Sequence, residues 1–205
     1  MNDLTNSPTL VLPLCCFPPI VWLKLAQTNG SVIDIHEHYV KQTYRNRYDI
    51  SGVNGMIQLT VPIVGQKGQK TPFHQIQIAG HDWRKLHVRS IRSSYGRAAY
   101  FEHYIDDIEH MLLQKQTFLC DLNSEILRWI SITGLTVRSA ISESHISNSD
   151  KDYRQNFEPT TTWPMQPVYP QVFSDRNEFQ SNLSILDLLM NKGPQAADYL
   201  RDCII

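Results

Sequence analysis

Thr9-Leu10-Val11-Leu12-Pro13-Leu14 runs into Cys15-Cys16-Phe17-Pro18-Pro19, and a second apolar run, Ser31-Val32-Ile33-Asp34-Ile35, begins just after Asn29-Gly30. The first run predicts a short buried strand. Proline at an opening helical position pre-sets the backbone, so the residues after Pro18-Pro19 predict a helix to about Thr28, stopped by Asn29-Gly30. The second run predicts another strand. Strand, helix and strand in this length form a parallel, right-handed crossover.

Working outward, Tyr44 to Ile50 and Met56 to Ile63 flank Val53-Asn54-Gly55, a hairpin signal that adds antiparallel strands. The expected fold class is therefore α/β: a mixed sheet that starts with a parallel strand-helix-strand unit, gains a hairpin, and leads to a helical C-terminal half. Gly65 to Pro72 reads as a loop before a further strand at Gln75 to Ile78. Trp83 to Tyr95 predicts a helix ended by Gly96. Phe101, Tyr104, Ile105, Ile108, Met111 and Leu112 recur at three- and four-residue intervals, which marks an amphipathic helix, and Phe118 to Ile132 marks another. Residues 139–170, rich in Ser and Thr and then Pro, read as a wrapping arm that docks through Tyr153, Phe157, Trp163 and Tyr169. Ser184 and Asp187 spell a capping box for the next helix, with Leu183 and Leu188 as its hydrophobic staple. Gly193-Pro194 ends that helix before a short one at Gln195 to Leu200. The expectation is a single domain over 1–205: sheet-forming to 80, helical over 81–136, then the arm, and C-terminal helices over 182–202.

The chain has 205 residues, 41% hydrophobic, with 19 Lys and Arg against 20 Asp and Glu. A chain of this length buries on the order of two-thirds of its unfolded surface, so no disulfide or metal staple is required. Cys15, Cys16, Cys120 and Cys203 have neither disulfide-framework nor zinc-knuckle spacing, and a reducing cytoplasm is the expected home. Leu10 to Leu25 is apolar, but prolines interrupt it and no Lys or Arg precedes it, so it reads as core rather than a leader. Nothing reaches the ~20 continuous apolar residues of a membrane helix, and no integral membrane contact is expected.

Charge is segregated. Lys41 to Arg97 holds ten Lys and Arg against only Asp49 and Asp82, which points to an anion-binding face, with solvated surface pairs as the alternative. Lys41, Tyr44, Arg45, Asn46 and Arg47 follow the second strand, while Lys67, Lys70 and Thr71 sit on a Gly-rich loop able to approach a phosphate. Lys85, Arg89 and Arg92 form a second basic stripe along one helix. His36-Glu37-His38-Tyr39 stands at the carboxyl end of the second strand, where open α/β sheets bind ligands. Acid/base work or phosphate hydrogen bonding by His36 and His38 is favoured over metal binding, whose third ligand would be Glu37 or His87. Strand capping by one histidine is the structural alternative. His87 shares a face with Trp83 and Ile91 and reads first as a buried, satisfied histidine. Tyr95 is a candidate for stacking on a base or sugar, and the cysteine pair lacks a neighbouring base. Phosphate-loop, dinucleotide, nucleophile-elbow and zinc-protease motifs are absent.

Val32 to Arg47, and above all His36-Glu37-His38-Tyr39-Val40-Lys41-Gln42-Thr43-Tyr44-Arg45-Asn46-Arg47, resembles the WbqC-like family of bacterial proteins. Further blocks agree in order: Leu12-Pro13 with Pro18-Pro19-Ile20, Leu59-Thr60-Val61-Pro62, Lys70-Thr71-Pro72, and Trp83 with His87, Ser90, Ile91, Ser94 and Tyr95. Tyr169-Pro170-Gln171-Val172-Phe173 and Asn182 to Leu189 complete the likeness. Cys15-Cys16 departs from the small or aromatic residues usual at that turn. The resemblance implies O-antigen or surface-polysaccharide biosynthesis, with a proposed glycine transferase role, and marks His36, His38, Lys41, Tyr44, Arg45, Asn46 and Arg47 as site positions.

Together these give a transferase that attaches an aminoacyl or acyl group to an amino sugar carried on a nucleotide. Lys41, Arg45 and Arg47 neutralise the diphosphate, His36 or His38 takes the proton of the attacking amine, and Lys70, Thr71, His87 and Tyr95 complete the substrate site. The partner is a nucleotide-sugar or other anionic small molecule; the donor is aminoacyl-tRNA or ATP plus an amino acid; no bound cofactor or metal is required. A non-catalytic protein holding the same ligand, or a partner protein, is the alternative. Metal-dependent hydrolysis at the two histidines is the weaker one.

Overall fold

In the computed structural model, which describes residues 9–65 and 70–205, the two apolar runs are β1 (Leu10–Pro13) and β2 (Ser31–Asp34). They pair in parallel, from Leu10 opposite Ser31 to Pro13 opposite Asp34. Between them α1 (Ile20–Ala26), with Pro19 at its N-cap, buries every residue except Lys24. That lysine caps the chain's last helical turn by donating to the carbonyls of Leu200 (2.7 Å) and Arg201 (3.1 Å). Apart from Lys24 the helix is apolar and has no solvent face, so the other residues from Leu10 to Leu25 are packed into the core.

On the other side of β2 lies β5 (Ala140–Ile141), also parallel, giving the order β1-β2-β5 among the described residues. It falls inside the expected arm, because two residues carry no periodicity to read. The arm also covers the other edge: Val11 N donates to Lys151 O (2.9 Å) and Tyr153 N to Val11 O (2.9 Å). Both flanks of the β1-β2 pair are thus closed by one segment. Phe157, fully buried, stacks on Trp163 at 5.4 Å, so the arm docks through its aromatics.

The hairpin forms β3 (Arg47–Gly52) and β4 (Gly55–Thr60), with Gly52 opposite Gly55 across Val53-Asn54. Both strands are shorter than the pattern predicts. Tyr44 N donates to Phe157 O in the arm (2.9 Å) and Asn46 N to Thr43 O (3.4 Å), so these amides leave the ladder, and Pro62 has none to give. The expected strand at Gln75 to Ile78 does not form. A 3₁₀ turn takes Phe73–Gln75 instead, and Gln77 and Ile78 each make a single bridge, to Phe118 and Ile63. Pairing with two different partners in succession cannot build a strand.

The helices fall where periodicity places them: α2 (Asp82–Tyr95), α3 (Phe101–Leu113), α4 (Leu119–Ile132), α5 (Ile185–Lys192) and α6 (Ala196–Asp202). All six residues of the α3 stripe are buried. Ser184 caps α5, its Oγ accepting from Leu186 N (3.2 Å), but Asp187 does not close the capping box. Ser184 N donates to Asp49 O, and the fully buried Asp187 carboxylate accepts from Tyr169 OH (2.6 Å) and Gln171 Nε2 (2.9 Å). Burial raises its pKa, with those hydrogen bonds opposing the rise. Tertiary partners have displaced the local one.

Gly193 follows α5 with φ +53°, and a Cβ there would lie 2.4 Å from the Tyr100 ring. Gly193→Ala therefore meets both backbone strain and a clash with a ring that cannot bend away. The expected loss is on the order of 2 kcal/mol, read as a lowered urea midpoint with unchanged slope.

Candidate functional site

Beyond β2 the chain leaves the sheet and pairs with a second loop. Phe73 N donates to Glu37 O (2.8 Å), Tyr39 N to Thr71 O (2.9 Å), and His38 bridges Pro72. Gln42, at φ +60°, then reverses the chain, leaving Lys41 exposed while Thr43 to Asn46 turn inward. This reversal builds a cleft of about 310 Å³ lined by Tyr39, Lys41, Gln42, Asn46, Arg47 and Ile63.

The charged groups of the cleft lining, Lys41 and Arg47, are both basic. Tyr39 OH donates to Asn46 Oδ1 (2.8 Å), and Asn46 Nδ2 donates to Val61 O (2.8 Å), so Asn46 is a fixed strut. Burial pushes the Tyr39 phenol up to about 12, with Arg45 and Arg47 pulling it back; it stays a neutral donor. Arg47 Nη1 donates to Gln58 Oε1 (3.2 Å), but its Nε is buried with no partner. A buried guanidinium nitrogen left unsatisfied is costly, while the rest of this part-exposed side chain lines the cleft. The Thr71 backbone adjoins Tyr39 through the bond between them, with the exposed Lys70 just before it, and neither lines the cleft itself. Lys67 lies outside the described residues.

Four of the sequence candidates lie inside the protein instead. Arg45 is fully buried: Nε and Nη2 clamp Glu37 at 2.9 and 2.5 Å, Nη1 donates to Thr43 Oγ1 and Nη2 to Arg154 O. Its guanidinium holds the wall of the site and cannot meet a phosphate in the cleft. Burial raises the pKa of Glu37, with Arg45 as the main opposing influence. Tyr44 OH donates to Asp49 Oδ2 (2.6 Å) in the core. His87, 2% exposed, sits 2.8 Å from Tyr48 OH through Nδ1, and burial lowers its pKa to about 4. Tyr95 is fully buried and accepts from Ser51 N (3.2 Å), so it stacks on no ligand. Of the second basic stripe, Arg92 is paired with Glu109 of α3.

His36 is half-buried, and its ring meets His74 edge to face with centroids 5.0 Å apart. His38 is exposed. The partner of His36 is therefore His74, 38 residues along, rather than its near neighbour; a fold contact of this kind leaves no spacing signal. Among the described residues no three His, Cys, Asp or Glu side chains converge as a metal-ligating group. Cys15 and Cys16 are buried, and desolvation drives both thiol pKa values far up, which leaves them protonated and unreactive.

A family model described as the WbqC-like protein family matches residues 17–159 and 146–199, which includes every residue of the cleft. The chain belongs to the WbqC-like protein family. A relative in Mycobacterium tuberculosis, "Uncharacterized protein Rv1507c", is 29% identical over 195 residues, spanning 80% of this chain and 84% of its own. No solved structure matches the chain. Among the described residues of this WbqC-like protein, no helix is long and apolar enough to cross a membrane.

Proposed function

We propose that this WbqC-like protein binds a nucleotide-linked amino sugar by its phosphates in the Lys41–Arg47 cleft, and transfers an aminoacyl or acyl group, glycyl in the leading form, to the sugar amine. The reading is carried by the part-exposed Arg47 and the exposed Lys41 lining one cleft. Arg47 and Lys41 take the phosphate charge, Asn46 and Tyr39 order the wall, and Lys70 and Thr71 adjoin it. His36 and His38, just before Tyr39 in the chain, are the groups assigned to proton transfer. Arg45 drops out as a ligand and serves as the support beneath them. Either donor, aminoacyl-tRNA or ATP plus an amino acid, fits this scheme, and the setting is surface-polysaccharide synthesis in the cytoplasm. Withdrawal of Tyr44, His87 and Tyr95 into the core thins the set of reactive groups, which favours the non-catalytic binding protein as the second reading.

Calorimetric titration with UDP-sugars and ATP tests the site. One charge-assisted hydrogen bond contributes about 1.5–3 kcal/mol, so Arg47→Ala is expected to weaken nucleotide-sugar binding tenfold or more, and Lys41→Ala by a smaller factor. His36→Gln and His38→Gln should bind normally; loss of transfer in either supports the enzyme, and a wild type that binds the nucleotide-sugar without any transfer leaves the binding protein. Equal affinity in wild type and Arg47→Ala removes the cleft as the site.

A further inference from the structure

The two outer edges of the β3–β4 hairpin are covered unequally. Val61 N donates to Asn46 O (2.8 Å), continuing the register, so the bonds inside the pair fall on the even-numbered residues of β3 and the odd-numbered residues of β4. Antiparallel pairing sends the backbone groups of the alternate residues away from the partner strand. On β3 those groups are taken: Ser184 N donates to Asp49 O (2.8 Å), and Ser51 N to Tyr95 OH (3.2 Å). On β4 they belong to Met56, Gln58 and Thr60. His87 bonds the Thr60 backbone. Among the described residues, the Met56 and Gln58 backbones have no partner on that side.

Strand edges are normally kept from pairing by lysine, proline or a bulge, and this one carries none of them. Val53 to Gly65 contains no Asp, Glu, Lys or Arg, and its single proline, Pro62, lies past the strand. The register runs unbroken from Gly55 to Thr60. Met56 and Ile57 are 57% and 39% exposed. Ile57 lines a groove of about 460 Å³ with Val53, Ser90, Ser93 and Phe173, in which the one charged side chain is Arg89. The exposed Leu86 stands one turn before Ser90 on the same side of α2. The open backbone groups are thus flanked by apolar side chains and hydroxyls.

We infer that two copies of this chain pair antiparallel through β4 about a twofold axis at Ile57, joining their hairpins into one sheet in the order β3-β4-β4-β3. The edge is complementary to itself. With the axis at Ile57, Met56 of each copy lies opposite Gln58 of the other, so the two open amides of each copy meet the two open carbonyls of its mate. Ile57 then faces Ile57 as a non-hydrogen-bonded pair, whose Cα atoms approach to about 4.5 Å. Because Val53 to Gly65 is uncharged, the facing strands bring no like charges together.

Sedimentation equilibrium of the full chain tests this, in about 0.5 M salt so that repulsion between the two Arg89 side chains is screened. A dimer is expected, and Ile57→Lys should raise its dissociation constant roughly tenfold, because two ammonium groups then meet across the axis. The register is read by oxidation of single-cysteine substitutions. Ile57→Cys should link two chains, since its Cα separation lies within disulfide reach. Thr60→Cys falls opposite Asn54 of the other copy and should not link. The native cysteines are all buried, which keeps the background low. If Ile57→Lys does not fold, the two cysteine substitutions decide. A dimer indifferent to Ile57→Lys, or equal linking at both positions, overturns the inference. A monomer at every concentration also overturns it and leaves the edge to a strand of another protein.

Discussion

Arg45→Ala is expected to destabilise the protein by about 3–5 kcal/mol, the cost of leaving one member of a buried ion pair without its partner. Glu37 is 3% exposed and its two oxygens face the guanidinium at 2.9 and 2.5 Å, so deleting Arg45 strands a carboxylate that water cannot reach. Arg45→Lys should recover only part of the loss, because an ammonium cannot make both bonds of the fork. Arg45→Met combined with Glu37→Leu should recover most of it, since a buried pair replaced by apolar residues of similar volume is close to neutral. Urea midpoints for the four chains make the comparison. An Arg45→Ala chain with wild-type stability and lost nucleotide binding would instead return Arg45 to the role the sequence suggests, a phosphate ligand.

The second large effect concerns acid. His87 is held neutral: Nδ1 lies 2.8 Å from the Tyr48 hydroxyl, the ring bonds the Thr60 backbone, and Trp83 meets it edge to face at 4.8 Å between centroids. Burial lowers its pKa from 6.5 to about 4. Between those values the unfolded chain binds a proton that the folded chain refuses. Stability from this group is therefore complete above about pH 6.5 and is lost as pH falls towards 4, in total about 3 kcal/mol. His87→Gln keeps a hydrogen-bonding side chain but cannot titrate. Its stability should change less across this window than the wild type's, by about that amount. Glu37 and Asp187, raised by burial, lose stability in the opposite direction as pH rises, but they are common to both chains and cancel in the difference. Parallel pH profiles for the two chains would show that His87 titrates as an exposed histidine does.

Much of the architecture is legible in the residues. Alternation and run length place β1, β2 and the hairpin, and three- and four-residue spacing places α2, α3 and α4, because these patterns record which side of an element faces the core. The arm is recognisable as docked from Phe157 and Trp163. The pairing of β5 with β2, and of Lys151–Tyr153 with β1, is not, since two or three residues carry no period. The charged motif is legible as a unit but not by role. Lys41, Asn46 and Arg47 do share a cleft, whereas Arg45, next to Asn46, points inward to Glu37. Residues 41–46 run through turns, which impose no period on successive side chains, so which of them points inward depends on what lies beneath.

The sequence by itself determined the α/β class, the parallel crossover, the helices, the basic segment and the family, because local periodicity and motif order are properties of the chain. Only the tertiary structure decided that Arg45 is a buried support, that Asp187 binds the arm rather than its own helix start, and that His74 is the partner of His36. Those choices belong to desolvation and long-range contact, and a buried charge accepts whichever partner the packed fold delivers.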